Sequence, residues 1–225
     1  RSVRVLELFA GSCSVGKVAK RMGCEVFSVD FEPFKGISLF GLRDIEEFHP
    51  SEVPWTPDVI WASPPCQSYS LAAIKTHRHQ HDRSPKTEFA AKSDRLVLNT
   101  LKIIRSFPDA VFYMENPRAT LQYMPFMLGI DRAVVWYCKY GDRAAKPTNI
   151  FTNNLRTLSN PDGWQPRPVC VKNNPHCHHE RAPRGSQTGT QGKTDHFERS
   201  RVPAALCKEV LQAAKRRIEL VQSVM

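Results

Sequence analysis

The fold is decided by the stretch Val3-Arg4-Val5-Leu6-Glu7-Leu8-Phe9-Ala10-Gly11-Ser12, in which leucine and β-branched residues run directly into a turn of small residues. A helix-like segment follows from Val15 to Met22, so this part of the chain is predicted to form a βα unit. The small residues of the turn would let a ligand approach the backbone closely.

A second strand is predicted at residues 25 to 30 and ends at Asp30. Asp30 lies 19 residues after Gly11, the spacing at which an acidic side chain meets a ribose hydroxyl in nucleotide-binding folds. The glycines do not complete the dinucleotide-binding fingerprint, because Ser-Cys-Ser-Val separates Gly11 from Gly16. The position of the acid therefore indicates a nucleotide-like ligand without identifying it.

One cysteine follows two prolines in the segment Val59-Ile60-Trp61-Ala62-Ser63-Pro64-Pro65-Cys66. A strand that stops at a rigid Pro-Pro turn holds the next side chain in one place at the sheet edge. Cys66 is therefore predicted to be a positioned nucleophile. The alternative is that Cys66 is a small apolar residue in a turn, as free cysteines often are.

An acidic residue ends another apolar strand, in the segment Ala110-Val111-Phe112-Tyr113-Met114-Glu115-Asn116-Pro117-Arg118. Glu115 and Cys66 would then both lie at carboxyl ends of parallel strands, the edge at which open α/β sheets bind ligands. Burial of an isolated carboxylate raises its pKa and costs several kcal/mol, which favours a functional role over a structural one.

The remaining pattern predicts an α/β fold with a doubly wound, mostly parallel sheet, because strands alternate with helices. Strands are predicted at about 3–8, 25–30, 57–63, 110–114, 133–139 and 148–152. The clearest helix is 94–106, with Ser93 as its cap and Pro108 as its stop, and a last helix begins near Pro203. Residues 153–198 show little periodicity and are predicted to form an irregular lobe.

Composition is compatible with a nucleic-acid substrate. The 225 residues are 41% hydrophobic, enough for one α/β domain with a core, and the formal net charge is +10 with a pI of about 9.4. A generically basic surface would give the same totals. The distribution of the positive charges points more specifically to nucleic acid, because a polar stretch just after Cys66 carries a cluster of cations. This stretch is predicted to be a mobile basic loop. The cations are Lys75, Arg78, Arg83, Lys86 and Lys92.

The cysteines indicate a reducing, intracellular compartment, because the chain has seven of them, shows no secretory signal and contains no apolar run near 18 residues. No membrane association is expected. Cys170 and Cys177, with His176, His178 and His179, could form a zinc knuckle. Cys-x6-Cys followed by adjacent histidines is not a standard ligand spacing, so no metal ligand is assigned from the sequence.

Taken in order, these segments resemble the cytosine-C5 methyltransferases that use S-adenosylmethionine. Phe9-Ala10-Gly11 is similar to the family's first motif, Asp30-Phe31 to its ribose and adenine contacts, and Leu42-Arg43-Asp44-Ile45 to its adenine-edge motif. Pro65-Cys66-Gln67-Ser68-Tyr69-Ser70 resembles the catalytic Pro-Cys-Gln loop, and Met114-Glu115-Asn116 the Glu-Asn motif.

The second half of the chain resembles the family less closely. Lys146-Pro147-Thr148 lies where the family has a Gln-x-Arg-x-Arg run, so Lys146 and Thr148 replace two arginines. Arg199-Ser200-Arg201-Val202-Pro203 is similar to the Asn-Ser-Val-Pro motif that closes over the methionine part of the cofactor. These variants resemble small phage-like or mobile-element members of the family.

The resemblance implies a Rossmann-like catalytic domain at 1–152 and 199–225, with a short target-recognition lobe at 153–198. The implied catalytic residues are Pro65, Cys66, Glu115 and Asn116. The implied cofactor-binding residues are Phe9, Ala10, Gly11, Ser12, Asp30, Phe31, Asp44, Ile45, Ser200 and Val202. The implied nucleic-acid contacts are Gln67, Ser70, Lys75, Arg78, Arg118 and Lys146.

The implied reaction is methyl transfer from S-adenosylmethionine to C5 of a cytosine flipped out of double-stranded DNA, with Cys66 adding to C6 and Glu115 stabilising the ring. A monomer is expected. Three alternatives remain. A tRNA cytosine methyltransferase shares the same catalytic residues, and an amino-group methyltransferase would carry an aromatic residue in place of Cys66. A binding protein with a decayed site could keep the basic surface without turnover.

Overall fold

The central sheet is mostly parallel, as predicted. The computed structural model describes residues 1–33, 41–71, 73–171, 177, 179 and 196–224. Within them the strands are β1 (Arg4–Leu8), β2 (Glu25–Asp30), β3 (Gly41–Leu42), β4 (Val59–Ala62), β5 (Val111–Pro117), β6 (Arg132–Trp136) and β7 (Pro147–Thr152). They form one sheet in the order β3-β2-β1-β4-β5-β7-β6.

The first five strands are parallel, and β7 is antiparallel to both β5 and β6. Register aligns the carboxyl ends of the central strands, because Leu8 pairs with Ala62 and Ala62 pairs with Met114. The residues that follow each of these strands therefore emerge at one edge of the sheet. This edge is where the predicted nucleophile and acid lie.

Helices cover both faces of the sheet. They are α1 (Ser14–Arg21), α2 (Ile74–His77), α3 (Glu88–Arg105), α4 (His196–Ser200) and α5 (Ala204–Val224). Short 3-10 turns lie at Pro50–Glu52, Gln67–Tyr69, Thr120–Tyr123, Pro125–Met127 and Tyr137–Tyr140. None of the helices in the described residues is both long and apolar enough to span a bilayer.

Alternate residues of the central strands supply two separate cores, because successive strand side chains point to opposite faces. Val5, Trp61 and Tyr113 face the core shared with α1 and α5. Their strand neighbours Leu6 and Ile60 face the core shared with α3. Burial on both faces explains why these strands are near-continuous apolar runs in the sequence.

Several predicted boundaries were wrong, among them the end of β5, which runs to Pro117 rather than 114. Helix α3 begins at Glu88, six residues before the predicted start at 94, because Thr87 rather than Ser93 is the cap and accepts a hydrogen bond from the Ala90 amide. Ser93 lies inside the helix and donates its hydroxyl to the Phe89 carbonyl one turn back. Strand β6 ends at Trp136 rather than 139, since the chain turns into the 3-10 turn at Tyr137–Tyr140.

The segment after β7 places one buried side chain, that of Trp164, in the core beside the sheet. Leu155 and Trp164 form an isolated bridge, and Trp164 is buried against the edge of the Tyr113 ring. The described part of 153–198 before α4 holds neither a helix nor a named strand, which agrees with the irregular character expected there. Its role as a target-recognition lobe, and the division of the chain at residue 153, stay predictions.

Candidate active site

The turn after β1 is held by carboxylates that accept backbone hydrogen bonds. Asp30 is buried at the end of β2, and its Oδ2 accepts from the Gly11 amide at 2.8 Å. Gly11 has a φ of 48°, a conformation that favours glycine. Burial raises the pKa of Asp30, partly offset by these backbone donors.

Glu7, in strand β1, supports this turn and was missed by sequence reasoning. Its Oε1 accepts from the amides of Val15 and Gly16 at 3.1 and 3.0 Å, and its Oε2 accepts from the Ser28 hydroxyl at 2.6 Å. Glu7 thereby caps the first turn of α1, where negative charge is favourable. A Cβ on Gly16 would lie 2.5 Å from Glu7 Oε2, so a larger residue there would displace the Glu7 carboxylate. The signal was present in the sequence as a charged residue inside an apolar strand.

The other predicted cofactor residues of this region differ in accessibility. Phe31 follows Asp30 directly and is 63% exposed, so its ring is available for stacking. The carboxylate of Asp44 binds Lys92 Nζ at 2.8 Å. Ile45 is buried in the core against α3, so its side chain cannot contact a ligand and only its backbone could serve the predicted role. Phe9 is partly buried and packs against the same core, whereas Ala10 and Ser12 are buried in the turn itself.

The C-terminal segment meets the first turn, as the similarity to the Asn-Ser-Val-Pro motif implies. The Val202 amide donates to Ser14 Oγ at 3.2 Å, and Ser14 Oγ lies 2.7 Å from Ser12 Oγ. Ser200 is half-buried, and its hydroxyl donates to the Phe197 carbonyl. Between the two segments lies a cleft of about 570 Å³, lined by residues that include Ser12, Lys17, Tyr140, Gly141, Arg201 and Val202.

The loop that carries Cys66 is fixed through its backbone carbonyls. Asn116 Nδ2 donates to the Pro64 carbonyl at 3.0 Å, and Thr120 Oγ1 donates to the Tyr69 carbonyl at 2.6 Å. Cys66 itself is half-buried and precedes the 3-10 turn at Gln67–Tyr69. The Cys66 side chain is thereby positioned at the carboxyl end of β4, next to the end of β5.

Arg78 is a further support of this loop, and the structure contradicts the prediction that it contacts nucleic acid. Its side chain is fully buried beneath the loop. Its guanidinium donates to the Ser68 carbonyl at 3.0 Å and the Ser68 hydroxyl at 3.1 Å, and it pairs with Asp94 at 2.7 Å. Tyr69 completes the arrangement, since its hydroxyl donates to Asp94 at 2.6 Å and its ring packs against the guanidinium. A guanidinium with these partners has no surface to offer to a phosphate.

Glu115 is buried at the end of β5 and is flanked by a tyrosine and a lysine. The Tyr137 hydroxyl donates to Glu115 Oε1 at 2.9 Å. Lys146 Nζ lies 3.4 Å from the same oxygen and 4.6 Å from the centre of the Tyr137 ring. Burial, followed by the charge of Glu115, raises the pKa of Tyr137 well above its ordinary value, so Tyr137 stays a hydrogen-bond donor. Sequence reasoning missed Tyr137, which a 3-10 turn after β6 brings to the site.

Asn116 and Lys146 are placed by the antiparallel strand β7. Asn116 pairs in register with Asn149, and Lys146 directly precedes β7. Asn116 Oδ1 is buried and finds no hydrogen-bond partner among the described residues. Lys146 was expected to contact nucleic acid, and the structure places its amine on the candidate catalytic carboxylate.

The other predicted nucleic-acid residues lie near the Cys66 loop. Gln67, Lys75 and Arg118 are exposed, and the Arg118 guanidinium packs over the Trp136 ring at 5.9 Å. Ser70 is half-buried, and its Oγ accepts from the Ala73 amide at 3.2 Å. The stretch predicted to be a mobile loop contains helix α2 and the amino-terminal part of α3.

Sequence comparisons relate the chain to one enzyme family. The model of the family described as C-5 cytosine-specific DNA methylase matches residues 20–122, a range that contains Asp30, Cys66 and Glu115. The "Probable DNA (cytosine-5)-methyltransferase" of Frog virus 3 (isolate Goorha) is 27% identical over 222 residues, covering 93% of this chain and 99% of that protein. Slightly less than half of the chain is therefore similar to the C-5 cytosine-specific DNA methylase family, and nearly the whole chain is similar to one viral protein named for that activity.

Solved structures share the methylase fold. A DNA modification methyltransferase encoded within an E. coli prophage superposes with a TM-score of 0.51 at 16% identity, covering 75% of this chain and 52% of that one. The Entamoeba histolytica methyltransferase EhMeth gives a TM-score of 0.52 at 13% identity, with 77% and 61% covered. The chain thus spans about half to three-fifths of the length of these two structures. Their similarity shows the Rossmann-like methyltransferase fold.

Proposed function

We propose that the chain transfers a methyl group from S-adenosylmethionine to C5 of cytosine in DNA through a covalent bond between Cys66 and C6. The observation that carries the proposal is the juxtaposition of Cys66 and Glu115 at adjacent carboxyl ends of the parallel strands β4 and β5. The bridge from Asn116 Nδ2 to the Pro64 carbonyl joins the two strand ends. The match of residues 20–122 to the methylase family model supports the same reaction.

The residues at the ends of β1 and β2 fit S-adenosylmethionine. The exposed Phe31 ring offers a stacking surface for adenine, and the adjacent Asp30 carboxylate offers an acceptor for ribose hydroxyls. The cleft between the first turn and the Arg201–Val202 segment would hold the methionine part. When bound there, the cofactor would supply a methyl group on a sulfonium.

Cytosine C5 is a weak nucleophile until the aromatic ring is broken, and Cys66 supplies the group that breaks it. The Cys66 thiol gives its proton to solvent water, its sulfur bonds to C6, and the displaced electron pair of the C5–C6 double bond moves toward N3. Glu115, holding a proton at N3, would neutralise that charge, and C5 then becomes nucleophilic enough to accept the methyl group. Loss of the C5 proton to a base not yet assigned and cleavage of the sulfur–C6 bond restore Cys66.

The neighbours of Glu115 suit this role. The Tyr137 hydroxyl and the Lys146 amine both lie at Oε1, so the other carboxyl oxygen can face the base. These two donors fix the rotamer of the carboxyl group before substrate arrives, which lowers the cost of orienting it during reaction. Lys146 is thus proposed to position Glu115, with any contact to the cytosine as a second role.

The target cytosine must leave the duplex to meet a thiol and a carboxyl group recessed at a sheet edge, at a cost of a few kcal/mol. Exposed cations near the Cys66 loop would hold the phosphates of the displaced strand. They are Lys75, Lys86 and Arg118.

The test is a trapping assay with duplex DNA that carries 5-fluorocytosine, because fluorine cannot leave C5 as a proton does. With S-adenosylmethionine present, the wild-type chain should form a species that survives denaturing electrophoresis, and Cys66→Ala should form none. Cys24→Ala removes a buried thiol at the end of α1 and serves as the matched control, which should still trap.

The same assay on tRNA identifies the substrate class. Trapping on duplex DNA and none on tRNA supports the proposal, whereas trapping on tRNA alone would make the chain a tRNA methyltransferase. A Cys66→Ala protein that still methylates cytosine at C5 would show that the nucleophile is misassigned.

A further inference from the structure

Four potential metal ligands converge at the 3-10 turn after β6. They are Cys138, Cys170, Cys177 and His179, named here the Cys138 cluster, and their ligand atoms all lie within 4.8 Å of one another. The Sγ atoms of Cys170 and Cys177 are 3.3 Å apart, and His179 Nδ1 lies 3.2 Å from Cys177 Sγ and 3.7 Å from Cys170 Sγ. His176 and His178, considered from the sequence as ligands, lie outside the described residues.

We propose that the Cys138 cluster binds one Zn²⁺ ion as a structural Cys3His site. Tetrahedral ligands at ordinary zinc distances stand about 3.8 Å apart for two sulfurs and about 3.6 Å apart for sulfur and nitrogen. The three separations among Cys170, Cys177 and His179 fall within about 0.5 Å of these values, and the Cys138 sulfur lies within 4.8 Å of the other ligand atoms. Three thiolates and one imidazole fill all four positions, which is typical of a structural rather than a catalytic zinc.

A simple disulfide does not account for the arrangement. A bond between Cys170 and Cys177 would use two of the four groups and leave the convergence of Cys138 and His179 unexplained. Three thiolates so close together would repel one another, and a divalent cation that replaces their protons offsets that repulsion.

The cluster joins two segments that have little secondary structure between them. Cys138 lies in the 3-10 turn after β6, and the other three ligands lie in the chain beyond Trp164. Arg167 holds the same two segments together, since its backbone amide donates to the Tyr140 hydroxyl at 2.9 Å and its guanidinium to the Lys139 carbonyl at 2.6 Å. Tyr140 also lines the cleft at the Arg201–Val202 segment. The metal would therefore tie the predicted recognition lobe to the wall of the cofactor cleft.

The test is the metal content of the full chain purified under reducing conditions from zinc-supplemented cells. The wild-type chain should carry about one zinc per molecule by elemental analysis, and Cys138→Ser and Cys177→Ser should retain less than a tenth of it. Cys24→Ser and Cys66→Ala should keep the wild-type content, because neither thiol belongs to the cluster. Cys66→Ala also separates the two proposals, since it should lose methyl transfer while keeping zinc.

Equal zinc content in wild type and Cys138→Ser would overturn the proposal, as would a metal-free wild-type chain with a Cys170–Cys177 disulfide detected by mass spectrometry. If the serine variants fail to fold, cobalt titration of the chelator-stripped wild-type chain decides instead. The strong visible absorption of a tetrahedral cobalt–thiolate site supports the proposal, and a weak octahedral spectrum contradicts it.

Discussion

Two turns at the same edge of the sheet are held by hydrogen bonds of opposite polarity. The turn after β1 is held by side-chain acceptors. The Asp30 carboxylate accepts a hydrogen bond from the Gly11 amide, and the Glu7 carboxylate accepts from the amides of residues 15 and 16. The turn after β4 is held by donors, because Asn116 and Arg78 donate to carbonyls of the Cys66 loop. We call these the cofactor turn and the nucleophile turn.

The difference follows from the residues of each turn. Pro64 and Pro65 have no amide hydrogens, so much of the nucleophile turn can be fixed only through its carbonyls. The cofactor turn leads into the amino terminus of α1, whose unpaired amides favour carboxylate partners. The backbone groups that remain without partners in a rigid turn therefore determine which side chains can support it. A substitution that disrupts one turn should leave the other intact.

The largest expected effect is on stability at the nucleophile turn. Arg78→Met should lower the free energy of unfolding by about 3–5 kcal/mol, because it leaves the Asp94 carboxylate without its buried partner. Urea unfolding followed by circular dichroism measures the change. Lys75→Met, at an exposed position of α2 three residues before Arg78, should change stability by less than about 0.5 kcal/mol. Equal losses in both variants would mean that Arg78 does not support the loop.

Glu115→Gln should slow methyl transfer by about 10²-fold or more while leaving the affinities for DNA and cofactor nearly unchanged. The amide keeps the shape of the side chain and loses the proton-transfer and charge-stabilising roles. Single-turnover kinetics and filter binding measure the two quantities. Tyr137→Phe keeps the carboxyl group and removes one of its donors, so its effect should be smaller. A Glu115→Gln chain with wild-type turnover would contradict the assigned role.

Asp30→Ala tests the cofactor turn and should weaken S-adenosylmethionine binding by about 1.5–3 kcal/mol, through loss of a charge-assisted hydrogen bond. Calorimetry should show little change for Glu32→Ala, two residues away and exposed. Asp30→Asn can still accept a hydrogen bond from the Gly11 amide but carries no charge. Comparing it with Asp30→Ala therefore separates the contribution of the hydrogen bond that supports the turn from that of the negative charge. Because burial raises the pKa of Asp30, wild-type affinity should begin to fall at a higher pH than for an exposed aspartate as the solution is acidified. Equal affinity for Asp30→Ala and wild type would remove the assignment.

The smallest expected effect concerns the exposed cations near the nucleophile turn. Lys75→Gln should reduce the slope of log affinity for DNA against log salt by about one unit, because one phosphate contact is lost. Lys102→Gln is the control, since Lys102 lies near the end of α3, which leads to the amino edge of the sheet. Fluorescence anisotropy at several salt concentrations gives the slopes. Identical slopes for wild type and Lys75→Gln would remove Lys75 from the interface.

The central sheet was predictable because its strands are buried on both faces and end at turn residues that the sequence displays. The antiparallel insertion of β7 between β5 and β6 was not, since alternation of apolar residues carries no strand order or direction. Cys66 and Glu115 stand out in the sequence because Cys66 shortly follows an apolar strand and Glu115 interrupts one near its carboxyl end.

Residues that depend on distant partners were missed. Arg78 lies in a polar stretch typical of a surface, and only the fold brings Ser68 and Asp94 to its guanidinium. Cys138 precedes the other cysteines of its cluster by more than 30 residues, so no ligand spacing marks it. Tyr137 reaches Glu115 only because the chain turns after β6.

Helix α5 has a consequence for the order in which the protein can be completed during synthesis. Its residues Leu206, Val210 and Leu211 cover the face of the sheet opposite α3, and the Tyr113 hydroxyl of β5 donates to the Val210 carbonyl. In a nascent chain that still lacks residues 204–224, strands β1 to β7 have already been synthesised. The apolar face of the sheet that α5 would cover is then exposed to water. Such a chain is exposed to aggregation until the last helix arrives.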